Sequence, residues 1–251
     1  MKPSTQGPVI IVDQYQRASE QSVGKQAYKG LAIHALPGLH EYLFSKLVDV
    51  VPTGASILDL AAGSGAMSLR LKDAGFRVSS TDYVSDNFRL HGSIPFFRTD
   101  LNGQFSAGRE STFDAIIAAE IIEHLENPRH FARECCRLLK PGGVVILSTP
   151  NIDSIASIVS HLRHGTFQWF SDADYALEGH ITPLSQWQIE KCFIEADFMF
   201  IHKGSYGDRK ERLRGSPRLM LLARFLDYLS PLSDDLKGQI FIALIQKNTP
   251  L

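Results

Sequence analysis

The sequence predicts an α/β fold built on a mostly parallel sheet, and three features carry that reading. Short apolar runs at 57–60, 113–119 and 144–148 are bounded by turn residues, the pattern of strands buried on both faces. The segments between them repeat apolar residues at helical spacing. A run of small residues, Ala61-Ala62-Gly63-Ser64-Gly65, joins the first of these strands directly to a helix.

Residues 1–36 are irregular, with Pro3, Pro8 and a polar stretch from Gln14 to Gln26. They form either a lid in which Tyr15, Tyr28 or His34 touches a ligand, or a solvated surface arm. Leu39, Leu43, Leu47 and Val50 place a helix over 38–50, packed on the sheet just ahead of the first strand. The helix after the small-residue turn runs over 66–74 and stops at Gly75. A second strand at 77–81 ends on Asp82. Ser85 caps a short helix, and a third strand at 95–99 ends at Asp100.

Past the fourth strand, 113–119, Asn127-Pro128 is a cap and first-turn signal for a helix reaching Leu139. Lys140-Pro141-Gly142-Gly143 stops it before the fifth strand, 144–148. Trp187, Ile189, Cys192 and Phe193 mark an amphipathic helix, 198–202 a sixth strand and 238–246 a final one. The stretch with His161, His164, Phe167, Trp169, Phe170 and Tyr175 is an insertion, either an aromatic wall of a pocket or a satellite core. A second insertion pairs a basic stretch, 208–214, with an apolar one, 217–229. It reads as a membrane-surface element, a dimer contact or a helix packed on the sheet.

The turn at 61–65 carries almost no side chain, so a ligand can lie against bare backbone, facing the free N–H groups of the next helix. Asp82, about 20 residues further on at the carboxyl edge of the second strand, is placed to accept both hydroxyls of a ribose. These features imply a nucleoside-containing ligand. A nicotinamide cofactor is disfavoured, because Ser68 stands where the Gly-x-Gly-x-x-Gly fingerprint needs its third small residue.

The string DLAAGSG (59–65) resembles the first motif of class I S-adenosylmethionine-dependent methyltransferases, with Ala61 in place of a glycine. The run FDAIIAAEIIEHLENPRHFARECCRLLKPGGVVILSTPN (113–151) resembles the central part of the same family, so the likeness covers 56–151. It implies a doubly wound, Rossmann-like sheet of seven strands, mostly parallel with an antiparallel last strand, and helices on both faces. It further implies one domain over 1–251: a cap and helix at 1–50, a cofactor-binding core at 56–151, and insertions at 152–184 and 205–236 shaping the acceptor site or an interface.

The resemblance makes S-adenosylmethionine the expected cofactor. Asp59, Ala61, Gly63, Ser64 and Gly65 would face its methionine part and Asp82 its ribose. Asp100 and Leu101 would frame the adenine, and Tyr83 either covers that ring or simply packs. Glu120 would face the amino group. Methyl transfer from a sulfonium is an in-line displacement that also needs a proton removed from the acceptor. His124, His180 and Glu123 are the candidate catalytic residues, His124 as the base or as a structural histidine.

Glu120-x-x-Glu123-His124 with the distant His180 also resembles the metal site of small-RNA 2′-O-methyltransferases, and similar motifs occur in ubiquinone-pathway O-methyltransferases. Glu120, Glu123, His124 and His180 are therefore candidate ligands of a divalent ion. The expected reaction is transfer to an oxygen of a small molecule, such as a quinone-like phenol, or of a glycan or lipid-linked sugar. STPN and GHITPLS are similar to methyltransferases that act on cell-surface glycans. RNA 2′-O-methylation and a non-catalytic, partner-activating subunit are the competing readings.

Composition bounds the rest. With 251 residues, 44% of them hydrophobic, the chain can bury one sizeable core. A net charge of −1 gives no general attraction to nucleic acid or to an anionic membrane, so any such contact is local. Cys135, Cys136 and Cys192 make neither a disulfide framework nor a metal spacing, and no segment reads as a signal peptide or spanning helix, which points to the cytoplasm.

Overall fold

Alternation along the central strands divides the interior into two layers. Leu58, Leu60, Ile116, Ala118, Val145 and Leu147 turn to one face of the sheet. Ile57, Ala115, Ile117, Val144 and Ile146 turn to the other. Both sets are buried, so the sheet is covered on both sides, as the apolar runs require.

The computed structural model describes residues 26–209, 213 and 215–249. Its strands are β1 (Ala27–Tyr28), β2 (Leu31–Ala32), β3 (Ser56–Leu60), β4 (Arg77–Asp82), β5 (Phe96–Arg98), β6 (Phe113–Ala119), β7 (Leu139–Pro150), β8 (Phe198–Tyr206) and β9 (Ile240–Lys247). The helices are α1 (Leu39–Val48), α2 (Ala66–Asp73), α3 (Pro128–Leu138), α4 (Ile155–His164), α5 (Asp172–Glu178), α6 (Gln186–Ile194) and α7 (Pro217–Leu229). Single 3₁₀ turns at Ser85–Asn87 and Ile122–His124 follow β4 and β6.

Local chemistry sets the helix starts. Asn127 Oδ1 accepts the His130 amide, with Pro128 in the first turn of α3. Ser171 and Ser185 build capping boxes with Asp174 and Gln188 at α5 and α6.

The seven-stranded sheet has the order β5-β4-β3-β6-β7-β9-β8. The pairs from β5 through β7 are parallel, and β9 is antiparallel to both neighbours. Strand order reverses at β3, whose neighbours are β4 and β6, so a crevice opens beyond the carboxyl ends of these strands. α1 and α2 cover one face, α3 and α6 the other.

Sequence pattern and structure part in a few places. β7 begins at Leu139, because Leu139 pairs with Phe113 and the irregularity falls at Lys140-Pro141-Gly142-Gly143. A Cβ on Gly143 would lie 3.0 Å from the Lys140 carbonyl and 3.1 Å from that of Asp114, so any larger residue would have to push this backbone apart by a few tenths of an ångström. The sixth strand of the sheet, β8, runs on to Tyr206. Both insertions are helical. Ile155, Ala156 and Val159 of α4 pack with Leu213 and Ala223 of α7 in a satellite core. Tyr15 lies outside the described residues.

Candidate active site

At the carboxyl edge of β3, β4 and β6 lies a cavity of about 830 Å³. Its floor is the turn after β3, where Ala61, Gly63 and Gly65 all have positive φ, of 57°, 54° and 92°. Gly65 suits this turn because its φ of 92° is strained for an L residue and a Cβ there would come within 2.9 Å of the Phe88 and Leu90 side chains, which would have to shift. At Gly63 the Cβ direction is open. Ala61 tolerates a conformation that glycine adopts at no steric cost. Ala61→Gly is therefore expected to raise unfolding stability by about 1 kcal/mol, read as a thermal midpoint a few degrees higher.

Asp82 holds this turn together. Its Oδ2 accepts the Gly63 amide at 2.8 Å and its Oδ1 the Val84 amide at 2.8 Å. A carboxylate has about four lone-pair directions, so two remain for a ligand. Burial pushes its pKa up in spite of these amides. Deeper down, Asp59 accepts from Ser68 Oγ, which also touches Ser80 Oγ at 2.9 Å. Burial raises the Asp59 pKa to about 7. Ser64 Oγ donates to the Ala32 carbonyl at 2.6 Å, so its hydroxyl fastens the β1–β2 hairpin over the turn.

That hairpin is further pinned by Tyr28 Oη and Lys29 Nζ on Asp73, and by the Arg70 guanidinium 4.2 Å above the Tyr28 ring. Residues 32–37 and His40 thereby form one wall of the cavity. His34 lies on this wall, whereas Tyr28 points to α2. Burial and the nearby Arg70 charge push the His40 pKa down to about 4. At the opposite end stand Tyr83, Asp100, Leu101 and Asn102. Asp100 Oδ1 accepts the Asn102 amide at 2.9 Å, closing an Asx turn that fixes its carboxylate.

The third side is the segment leaving β6. Glu120 has φ 51°, and its amide reaches both the carbonyl and the hydroxyl of Ser148. Its Oε1 is buried without a hydrogen-bond partner among the described residues, and burial raises its pKa to about 7. Glu123 is fully buried, with Oε2 accepting from Thr149 Oγ1 at 2.9 Å and Oε1 unpartnered among the described residues. Burial, then the neighbouring Glu120, push its pKa well above the usual range. The Glu123 carbonyl accepts the amides of Ile181 and Thr182, which brings the GHITP string onto this turn.

His124 and His180 meet edge to face, ring centroids 4.7 Å apart, and both line the cavity. Burial, then His180, lower the His124 pKa to about 3. His180 Nδ1 lies 2.7 Å from the Trp169 carbonyl, which can only accept, so Nδ1 carries a proton, while Nε2 lies 3.4 Å from the Glu178 carboxylate. Trp169 holds that carbonyl from a left-handed backbone, φ 72°, which costs about 1–2 kcal/mol. Candidate ligand atoms of Glu123, His124 and His180 all fall within 4.8 Å of one another; Glu120 is not in that group.

Thus Asp59, Ala61, Gly63, Ser64, Asp82, Tyr83, Asp100, Leu101, Glu120, His124 and His180 line one cavity. Gly65 caps α2 beneath it, and Glu123 lies behind its wall. Ile33, Leu36, Pro37, His40 and Trp169 also line it. Trp169 stood out as part of an aromatic insertion, but His40 sits on the first turn of an ordinary amphipathic helix and carries no local signal.

A family model described as a methyltransferase domain matches residues 33–203. A ubiquinone biosynthesis O-methyltransferase from Xanthomonas oryzae pv. oryzae is 33% identical over 126 residues, 47% of this chain and 52% of that one. The chain spans about half the length of the curated relatives it matches. Among solved structures, a SAM-dependent methyltransferase from Archaeoglobus fulgidus superposes with a TM-score of 0.58 at 14% identity, covering 83% of this chain and 94% of that one. An S-adenosylmethionine-dependent methyltransferase from Mesorhizobium loti gives 0.57 at 16%, covering 85% and 100%. At such identities the two structures speak to the fold alone.

Proposed function

This chain belongs to the methyltransferase-domain family, and on that premise we propose that it is an S-adenosylmethionine-dependent O-methyltransferase acting on a small molecule with a phenol-like hydroxyl. The observation that carries the proposal is the shared cavity: the Asp82 turn, the unpartnered Glu120 oxygen and the His124–His180 pair all open onto it. The cofactor fits the residues present. Asp82 has acceptor capacity left for two ribose hydroxyls, and the buried Glu120 Oε1 suits a cationic ammonium. Bound S-adenosylmethionine supplies an activated methyl group. The chain's own part is to hold the acceptor oxygen in line and to take its proton.

His180 is the proton acceptor in this reading. Its Nδ1 is anchored to the Trp169 carbonyl and its Nε2 lies 3.4 Å from the Glu178 carboxylate, which can share the proton taken up, whereas His124, with a pKa of about 3, is a weak base and serves as a neutral wall. A second reading has its own observation, the 4.8 Å cluster of Glu123, His124 and His180. One carboxylate and two imidazoles suit a divalent ion, which would lower the pKa of an acceptor hydroxyl. Turnover that survives exhaustive chelation leaves His180 acting alone.

The test of the cofactor assignment is calorimetric titration with S-adenosylhomocysteine in two buffers of different ionisation heat. Burial raises the Glu120 pKa to about 7, and an ammonium beside it favours the ionised form, so protons are released on binding near neutral pH. Glu120→Gln abolishes the release and weakens binding.

The same shift predicts the ligand-free stability. A raised carboxyl pKa favours the fold fully below about pH 4.5 and loses that contribution as pH rises through about 7. Glu120→Gln therefore unfolds at a higher temperature than the parent at pH 8, by an amount equivalent to about 3 kcal/mol. A protein that takes up no S-adenosylhomocysteine sinks the assignment.

A further inference from the structure

Helix α7 displays its apolar residues outward. Leu221, Phe225, Tyr228 and Leu229 are 70, 59, 86 and 58% exposed, and their spacing places them on one continuous arc with Pro217, Arg218 and Arg224. The opposite side, centred on Ala223, meets α4 in the satellite core. Thus the helix is already anchored to the protein by one face, and the exposed arc is surplus to that packing. Large apolar side chains grouped in this way mark a contact surface.

Charge distinguishes the partner. The outward arc carries two arginines and no carboxylate, and neither arginine has an ion pair among the described residues. The acids nearby are engaged elsewhere: Asp227 with Lys237 at 2.8 Å, Asp234 with Arg209 at 2.9 Å and with Lys237 at 3.5 Å. Over 208–224 the sequence holds six Lys and Arg against two acids, Asp208 and Glu211, although the whole chain is at −1.

A twofold contact with a second copy would set this positive arc against itself, with no acid on the arc to pair it. An anionic lipid surface complements both the charge and the apolar stripe. The helix cannot span: 13 residues reach about 20 Å, short of the roughly 30 Å hydrocarbon core, so it would lie along the surface.

Position ties this surface to the cavity. The segment holding α7 leaves the sheet after Tyr206 and returns at Ile240, which pairs with Pro150 at the carboxyl end of β7. Both Pro150 and Ile240 line the cavity.

We propose that α7 docks the protein on anionic membrane, placing the reactive edge of the sheet next to the bilayer, so that the methyl acceptor is an amphiphile drawn from the lipid phase. The docking stands on the helix alone; only the statement about the acceptor rests on the methyltransferase reading.

The experiment is flotation of the full chain with phosphatidylcholine vesicles and with vesicles containing about one-third phosphatidylglycerol, at low and high salt. Binding is expected to the anionic vesicles, at least about tenfold weaker to the zwitterionic ones and weakened by salt. The pair Leu221→Asp and Phe225→Asp, and separately the pair Arg218→Glu and Arg224→Glu, each lower it at least about tenfold. All four sites are exposed, so thermal midpoint and S-adenosylhomocysteine affinity should stay at the parent values; their failure would implicate the cofactor site and not the docking face.

Absence of binding to anionic vesicles overturns the proposal, as does binding indifferent to both pairs of substitutions. So does a dimer in sedimentation velocity that Phe225→Asp converts to monomer, which would assign the face to a second copy.

Discussion

Asp82→Ala is expected to weaken S-adenosylhomocysteine binding by about a hundredfold or more, since two charge-assisted hydrogen bonds to ribose hydroxyls are each worth about 1.5–3 kcal/mol and every 1.4 kcal/mol is tenfold. The loss does not stop at the ligand. Asp82 Oδ2 is also the partner of the Gly63 amide, and Oδ1 that of Val84, so its removal frees the turn on which the methionine part would lie. Asp82→Asn retains one acceptor oxygen and is expected to fall between parent and alanine variant. Calorimetry gives both affinities, and thermal unfolding of the ligand-free variants separates lost binding from a lost fold. Unchanged affinity in the alanine variant would mean that the ribose lies elsewhere.

Asp82 was visible in the sequence because its signal is local: an acid ending the strand that follows a glycine turn. The turn itself, the α2 and α3 starts and the alternation in β3, β6 and β7 are equally local, set by small residues, caps and buried runs. What escaped was made by tertiary contact. His40 reaches the cavity because α1 packs against α2, and Ile33 because Ser64 and Asp73 fasten the hairpin.

The sequence leaves each insertion with alternatives: an aromatic wall or a satellite core for the first, and a membrane-surface element, a dimer contact or a packed helix for the second. Ile155, Ala156 and Val159 bury themselves against Leu213, Ala223 and the inward side of α7, nearly 60 to 70 residues on, and neither stretch shows that pairing by itself. Glu123 gave a mixed signal. Its neighbours in sequence point at the cavity, but the 3₁₀ turn at Ile122–His124 sends its carboxyl back to Thr149.

His180→Ala is expected to lower turnover on a catechol-type phenol by about 10²–10⁴-fold, the range for losing a positioned general base, while leaving S-adenosylhomocysteine affinity near the parent value. The split between rate and affinity matters, because a merely structural histidine would disturb both. Its position argues for the rate. The Trp169 carbonyl accepts the Nδ1–H and the Glu178 carboxylate lies 3.4 Å from Nε2, so both ring nitrogens are oriented, and the ring stands against His124 within the cavity.

His124→Ala should cost less, since an imidazole with a pKa of about 3 takes up protons poorly at neutral pH. Glu123→Gln then separates mechanisms. Glu123 sits behind the wall with its carboxyl pKa pushed well up by burial and by Glu120, so replacing the carboxyl by an amide changes little if His180 acts alone. A collapse of turnover as deep as that of His180→Ala, restored by no added base but sensitive to chelation in the parent, would instead make Glu123, His124 and His180 a single ion-holding unit. Parent-like turnover in both histidine variants would remove the pair from the chemistry altogether.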